Sequence, residues 1–355
     1  MNPSRNVRNL LFSALALIGA GVPTFGAITY TCDPSVAALV SCATLNSTLA
    51  PIYSAAFTDA DANIYIAINT NSGVSLGESL HDIYGVSYSA YLSALGASDP
   101  SDPGLASLPA SNPYGTGSVM VTNSMLYALP SLGAPSSGVT GTNLGGTSTP
   151  TFSSCSPTNF NGLSSGCYDG IILVNGSSSD LWFRTGTQTG SQYDFYSIVE
   201  HETDEVLGSS SCLANGTGLD ACEGNSTPGP NSDVSAADLF RYVCGSTTRS
   251  FVNTGSACFS LNGGTTDLKT YNNTTNGDDF GDWSTGCANV QDATGCPGPV
   301  AGFQHDIAPN AEIALLGEAV GFGLNSQGVP EPGTMGLIGA SLLALALGRK
   351  RLLKK

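Results

Sequence analysis

Apolar positions along this chain recur in short bursts separated by polar stretches, not in long stripes. In Ala62-Asn63-Ile64-Tyr65-Ile66-Ala67-Ile68-Asn69 the isoleucines fall on one face, and that period of two predicts a strand. Asp169-Gly170-Ile171-Ile172-Leu173-Val174 reads as a buried strand. Leu181-Trp182-Phe183 reads as its hairpin partner, with the turn near Asn175-Gly176. Tyr84 to Leu95, with Tyr88, Tyr91 and Leu92, predicts a helix. A stronger helix runs from Gln192 to Leu207, with Ser191 as cap, Asp194 as capping-box partner and Gly208 as terminator. Residues 98–166 are rich in Pro, Gly, Ser and Thr around one structured island, Val119 to Leu126. Downstream come Asp238-Leu239-Phe240-Arg241-Tyr242, a strand over Ala257–Leu261, a polar loop over 262–282 and a closing apolar segment from Ile313 to Phe322. No internal repeat is visible. The pattern predicts one α+β domain: a twisted sheet, one central helix and a loop-rich C-terminal half.

Both ends stand apart from that domain. Arg5 and Arg8 precede the apolar run Leu10–Ala20, the order of a secretory signal peptide, with cleavage after Gly26 or Ala27. At the other end, Val329-Pro330-Glu331-Pro332 is followed by an uncharged, mostly apolar run from Gly333 to Gly348, then by Arg349, Lys350, Arg351, Lys354 and Lys355. Sixteen helical residues rise about 24 Å against a hydrocarbon core of roughly 30 Å, and snorkelling cations cover the shortfall. The cations hold that end in the cytoplasm. The expected division is a signal peptide (1–27), an ectodomain (28–328) and a C-terminal segment (329–355) with one transmembrane helix over about 333–348. That last segment closely resembles the bacterial PEP-CTERM sorting signal. The resemblance implies export, a transient inner-membrane anchor with the ectodomain in the periplasm, processing by an exosortase near Pro330-Glu331-Pro332, and delivery to the cell surface or matrix. A plain tail anchor, leaving a permanent inner-membrane protein, is the alternative.

Setting the ends aside changes the charge picture. Only Arg184, Arg241, Arg249 and Lys269 remain, against 26 of the 27 carboxylates, a formal charge of −22. Such a surface repels nucleic acid and favours divalent cations. All ten cysteines lie in the ectodomain, at 32, 42, 155, 167, 212, 222, 244, 258, 287 and 296, without a CxxC. An even count in an exported chain favours disulfides over zinc thiolates, with pairing between sequence neighbours. Arg241 is expected to pair with a carboxylate near the helix or to anchor a substrate carbonyl.

The chemistry concentrates on His201-Glu202-Thr203-Asp204-Glu205-Val206-Leu207-Gly208. Residues four apart share a helix face, so His201 and Glu205 reach one ion, and Glu202, one step round, points at a water. That is the layout of the zinc-peptidase HExxH helix, with Glu205 in the second histidine's place. Ser211 stands where the longer HExxHxxGxxH pattern has its last histidine. A carboxylate there makes the ion a weaker Lewis acid. Crowded carboxylates at 200, 202, 204 and 205 are unfavourable on a helix without a compensating cation. Read without an ion, the same residues are a solvated acidic face.

From the Ile64–Ile68 strand through Tyr196–Gly208, Asp238–Tyr242, Phe259–Thr266 and Gly277–Trp283, the chain resembles a zincin-type metalloprotease family that often carries the PEP-CTERM tail. The resemblance implies a zincin-like domain, Zn²⁺ at His201 and Glu205, Glu202 as general base, and a peptide or protein substrate. For the third ligand Asp238 is the first choice, His305 the second and Asp220 the third. His81 reads as a surface or helix-start residue. A Ca²⁺ site over Asn276, Asp278, Asp279 and Asp282 has oxygen donors at close spacing around glycine, yet lacks the EF-hand pattern, and an ordinary polar turn suits it equally. The leading expectation is thus a metal-dependent endopeptidase. The alternative is a catalytically inactive matrix or surface-interaction protein on the same scaffold.

Overall fold

The computed structural model describes residues 26–69, 75–100, 102–141, 154–155, 166–177, 179–213, 233–252, 255–273, 279–284, 286–299 and 311–325. The expected signal peptide and the C-terminal sorting segment lie outside them, apart from Gly26 and Ala27. No helix among the described residues is long and apolar enough to cross a membrane.

The fold is a mixed α+β arrangement around a four-stranded sheet, in the order Ile28–Cys32, Ala62–Asn69, Gly170–Asn175, Gly77–His81. The first three strands are parallel, and Gly77–His81 runs antiparallel along the edge. Register sets Ile64, Ile66 and Ile68 beside Gly170, Ile172 and Val174. The isoleucines, Ile172 and Val174 face the main core, whereas Tyr65, Ala67, Ile171 and Leu173 join Val139 and Tyr168 in a second cluster behind the sheet. Covering both faces explains why Ala62–Asn69 is apolar almost throughout and not merely alternating.

The expected hairpin after Gly170–Val174 does not form. Both edges of that strand are taken, by Ala62–Asn69 on one side and Gly77–His81 on the other. Leu181–Trp182 instead pairs in parallel with Tyr193–Asp194, leading directly into the long helix. The expected Tyr84–Leu95 helix is also divided: Ile83–Val86 is a strand, Ser87 caps, and the helix spans Tyr88–Ser98. The Val119 island becomes a strand, Val119–Thr122, and a helix, Asn123–Ala128. Near the C-terminal side, Ala311–Ala314 is α-helical and continues as a π-helical turn over Leu315–Val320.

The long helix spans Phe195–Leu207. Its cap is Asp194 itself, not Ser191: the Asp194 carboxylate accepts from the backbone N–H of Tyr196 and Ser197. Arg184 holds the same carboxylate, with Nε 3.1 Å from Oδ2. Gly208 ends the helix at φ 120°, a conformation that L side chains avoid. The helix lies on the edge half of the sheet, and Gly170 permits the approach, because a Cβ there would come within 2.5 Å of Val206 Cγ2. Beneath it Tyr30 meets Thr203, and Tyr53 donates to Asp204 Oδ1 at 2.9 Å.

Four disulfides join sequence neighbours, Cys32–Cys42, Cys155–Cys167, Cys244–Cys258 and Cys287–Cys296. Cys212 is bonded as well, and Cys222 lies outside the described residues. Loops of this size stabilise by restricting the unfolded chain, roughly 2–3 kcal/mol each.

Two measurements test this packing. Asp194→Ala removes the helix cap and the partner of Arg184, and should lower stability by about 1–2 kcal/mol in urea titration at unchanged slope; no shift in midpoint would show that the cap is dispensable. The second concerns Asp102, which caps the Pro103–Ser107 helix and hydrogen-bonds Glu318. Burial first, and Asp102 second, push the Glu318 carboxyl from 4.5 up to about 7. A raised acid pKa contributes stability that is present below the unfolded value and lost as pH rises through the folded one. The wild-type melting temperature, relative to Glu318→Gln, should therefore fall between pH 5 and pH 8; parallel curves would refute the pair.

Candidate metal centre

The helix and the edge strand meet in register. Gly77, Ser79 and His81 alternate onto one side of their strand, and Glu202 and Glu205, three apart, share a side of the helix. A Cβ on Gly77 would lie 2.1 Å from Glu202 Oε1, so a larger residue there would collide with the carboxyl. Ser79 Oγ donates to Glu205 Oε2 at 2.5 Å.

His201 is oriented from its far side. Its Nδ1 lies 3.0 Å from the Val290 carbonyl, which can only accept, so this nitrogen donates and the ring is turned with Nε2 toward the site. That Nε2 faces Asp282 Oδ1 at 3.4 Å and Glu205 Oε1 at 3.7 Å. One ligand atom from each of the three side chains falls within a 4.8 Å group. Neighbouring donors of a tetrahedral zinc, at ~2.0–2.1 Å each, lie about 3.3 Å apart. An imidazole nitrogen facing two carboxylate oxygens is satisfied by a proton on that nitrogen or by a cation among the three, and one nitrogen with two oxygens is a donor set that suits a divalent ion. The side chains of His201 and Glu205 are 17% and 12% exposed and that of Asp282 only 4%, which leaves access from the His201 side.

Asp282 arrives on a segment fastened from below. Phe259, Tyr271 and Trp283 form an aromatic cluster with ring centroids 5.2–6.2 Å apart. Arg241 stacks on Tyr271 and donates to the carbonyls of Phe280 and Asn272 and to Asn273 Oδ1. The expected carboxylate partner for Arg241 is therefore replaced by the backbone of the loop that carries Asp282.

Glu202 is buried at the bottom of the site. Burial first, then Glu205 through charge and a hydrogen bond, then Asp282 and Glu78, push its carboxyl well above the ordinary range. Burial raises the Glu78 carboxyl too, with Glu205 adding to it, and burial lowers His81, whose Nδ1 has no hydrogen-bond partner. His81 ends the edge strand and does not start a helix.

The structure does not bring Asp238 to this group. Its carboxylate accepts from Ser211 Oγ at 2.5 Å, Cys212 N at 2.8 Å and Ser235 N at 3.0 Å, which ties the chain leaving Gly208 to the turn at 235–238. His305 and Asp220 lie outside the described residues, as do Asn276 and Asp278. Asp279 and Asp282 have separate duties. Asp279 accepts from Ser211 N and Gly281 N, whereas Asp282 turns to His201. Sequence reasoning missed Ser79, Gly77 and the Val290 carbonyl entirely. It placed Asp282 with Asp279, and only the tertiary contacts of Trp283 and Arg241 separate the two acids.

Ser79→Ala removes the hydrogen bond that aims Glu205; if the group takes up zinc, the variant should bind it about 10–100-fold more weakly, the usual cost of losing such a supporting contact. Competition against a chromophoric chelator reads this directly; equal affinities would dissociate Ser79 from the site.

The comparisons with known proteins bear on the far end of the chain. The PEP-CTERM protein-sorting motif matches residues 328–351. No curated protein and no solved structure matches the chain. The C-terminal motif is the recognition signal for an exosortase and points to an exported protein sorted through a membrane-anchored C-terminus.

Proposed function

We propose that this exported chain is a metal-dependent endopeptidase of zincin type whose ion is held by His201, Glu205 and Asp282. The observation that carries the reading is the convergence of one imidazole nitrogen and two carboxylate oxygens within 4.8 Å of one another. Supporting it are the helix beneath a mixed sheet, the antiparallel edge strand beside the site, and a buried glutamate at the position of the general base. His201, Glu205 and Asp282 would hold Zn²⁺, which would supply a Lewis acid for the scissile carbonyl. Glu202 accepts a proton from the attacking water and returns it to the leaving amine. Gly77 keeps room for that carboxyl, and Ser79 and Val290 hold Glu205 and His201 in orientation. Released by an exosortase, the enzyme would act on peptide or protein substrates at the cell surface or in the matrix.

A second reading rests on the Glu202–Glu205 hydrogen bond, which ties the base to a ligand. On it, the domain is an inactive surface or matrix binder that keeps the scaffold. Elemental analysis combined with casein or gelatin hydrolysis separates the two. The enzyme contains stoichiometric zinc and is stopped by a chelator; the binder folds without metal and cleaves nothing. Within the enzyme reading, Glu202→Gln should retain zinc and lose cleavage by about 10²–10⁴-fold, the usual contribution of acid–base catalysis. Full cleavage by this variant would remove Glu202 from the mechanism.

A further inference from the structure

The ring of chain closed by Cys287–Cys296 touches the site at two adjacent residues. The Val290 carbonyl accepts from His201 Nδ1 at 3.0 Å. The next residue, Gln291, donates from Nε2 to Asp282 Oδ1 at 3.0 Å, the same oxygen that stands 3.4 Å from His201 Nε2. We propose that Gln291, presented by this disulfide-closed loop, is a positioning residue that sets the separation of His201 and Asp282. The proposal rests on the reading of the site as a metal centre.

His201 belongs to a helix and Asp282 to a loop about eighty residues later, so something must set their separation. The 287–296 loop contacts both, and it is itself held on every side. Gln291 is buried at 1% exposure, its N–H donates to Glu312 Oε1 at 3.0 Å, and its carbonyl accepts from Trp283 N at 2.8 Å. Asp292 then ties the loop to itself, accepting from Ala288 N at 2.7 Å and from Asn289 N and Nδ2 at 3.0 and 2.9 Å. Ala293 N returns to the Trp283 carbonyl at 3.0 Å, beside the residue that precedes it, Asp282.

Glutamine suits this position chemically. Its amide donates to the carboxylate without neutralising it, so Asp282 keeps the charge that attracts a cation. A lysine there would replace the ion's role, and a glutamate would repel Asp282. With Oδ1 fixed by the amide, the carboxylate cannot swing away from Nε2, which is the work of a supporting contact at a metal site.

The test measures Zn²⁺ affinity of the full chain by chelator competition for wild type, Gln291→Leu, Gln291→Asn and the double variant Cys287→Ser/Cys296→Ser. Gln291→Leu keeps the packing and removes the donor, and should weaken zinc about 10–100-fold. The double variant should weaken it comparably. Near-UV circular dichroism identifies the folded variants, and Gln291→Asn, too short to reach Asp282, stands in should either of the others fail to fold. Co²⁺ loading adds a readout that a merely structural role would not move, because altered carboxylate placement shifts the visible d–d bands. Wild-type protein that takes up no metal overturns the metal reading and this proposal with it. Tight wild-type binding matched by every folded variant, with identical Co²⁺ spectra, overturns the positioning role alone.

Discussion

Negative charge that must be held together is the constraint on which this structure depends. Glu202, Glu205 and Asp282 gather beside one imidazole, in an ectodomain with only four Lys and Arg side chains. None of those cations is spent there. Arg184 goes to the helix cap and to Glu200, Lys269 to Asp292, and Arg241 and Arg249 to backbone carbonyls. Carboxylates this close repel unless a proton or a divalent ion intervenes. A proton held within the group, or a coordinated divalent ion, would relieve that repulsion.

Rigid support on both sides makes the crowding tolerable. From the sheet, Gly170 lets the helix settle against the strands and Gly77 leaves space for Glu202. From the opposite side, the aromatic cluster around Trp283 and the buried guanidinium of Arg241 hold the Asp282 segment through its backbone. Using Arg241 on carbonyls instead of on Asp282 has a clear consequence: the acid is positioned without being neutralised. The same logic governs Gln291. Disulfides between sequence neighbours stiffen the loops locally, which suits a chain so rich in Gly, Ser and Thr.

Much of the scaffold was legible because local rules dominate there. The alternation at Ile64–Ile68, the apolar run at Gly170–Val174 and the Gly208 stop each reflect a strand or helix preference that tertiary contacts reinforced. Legibility failed where two options were locally equal. Asn175-Gly176 is a good hairpin turn, but the strand before it had no free edge. Ser191 and Asp194 both make good caps, and the strand pairing of Tyr193–Asp194 with Leu181–Trp182 selected the later one. Asp238 and Asp282 are both acids downstream of the helix. Only the hydrogen bonds from Ser211, Cys212 and Ser235 show that the first is occupied in holding the chain.

The residues alone determined the sorting signal and which side chains the helix presents together. A Pro-Glu-Pro, an apolar run and a basic tail form a contiguous pattern, and His201, Glu202 and Glu205 acquire their relative placement from helical periodicity. Tertiary structure decided which distant groups complete that helix: Ser79 and Gly77 from the edge strand, Asp282 from the aromatic-anchored loop, and Val290 and Gln291 from the cross-linked ring. Contacts across eighty to a hundred and thirty residues depend on how strands share edges and how loops are tied down. No local period encodes that competition.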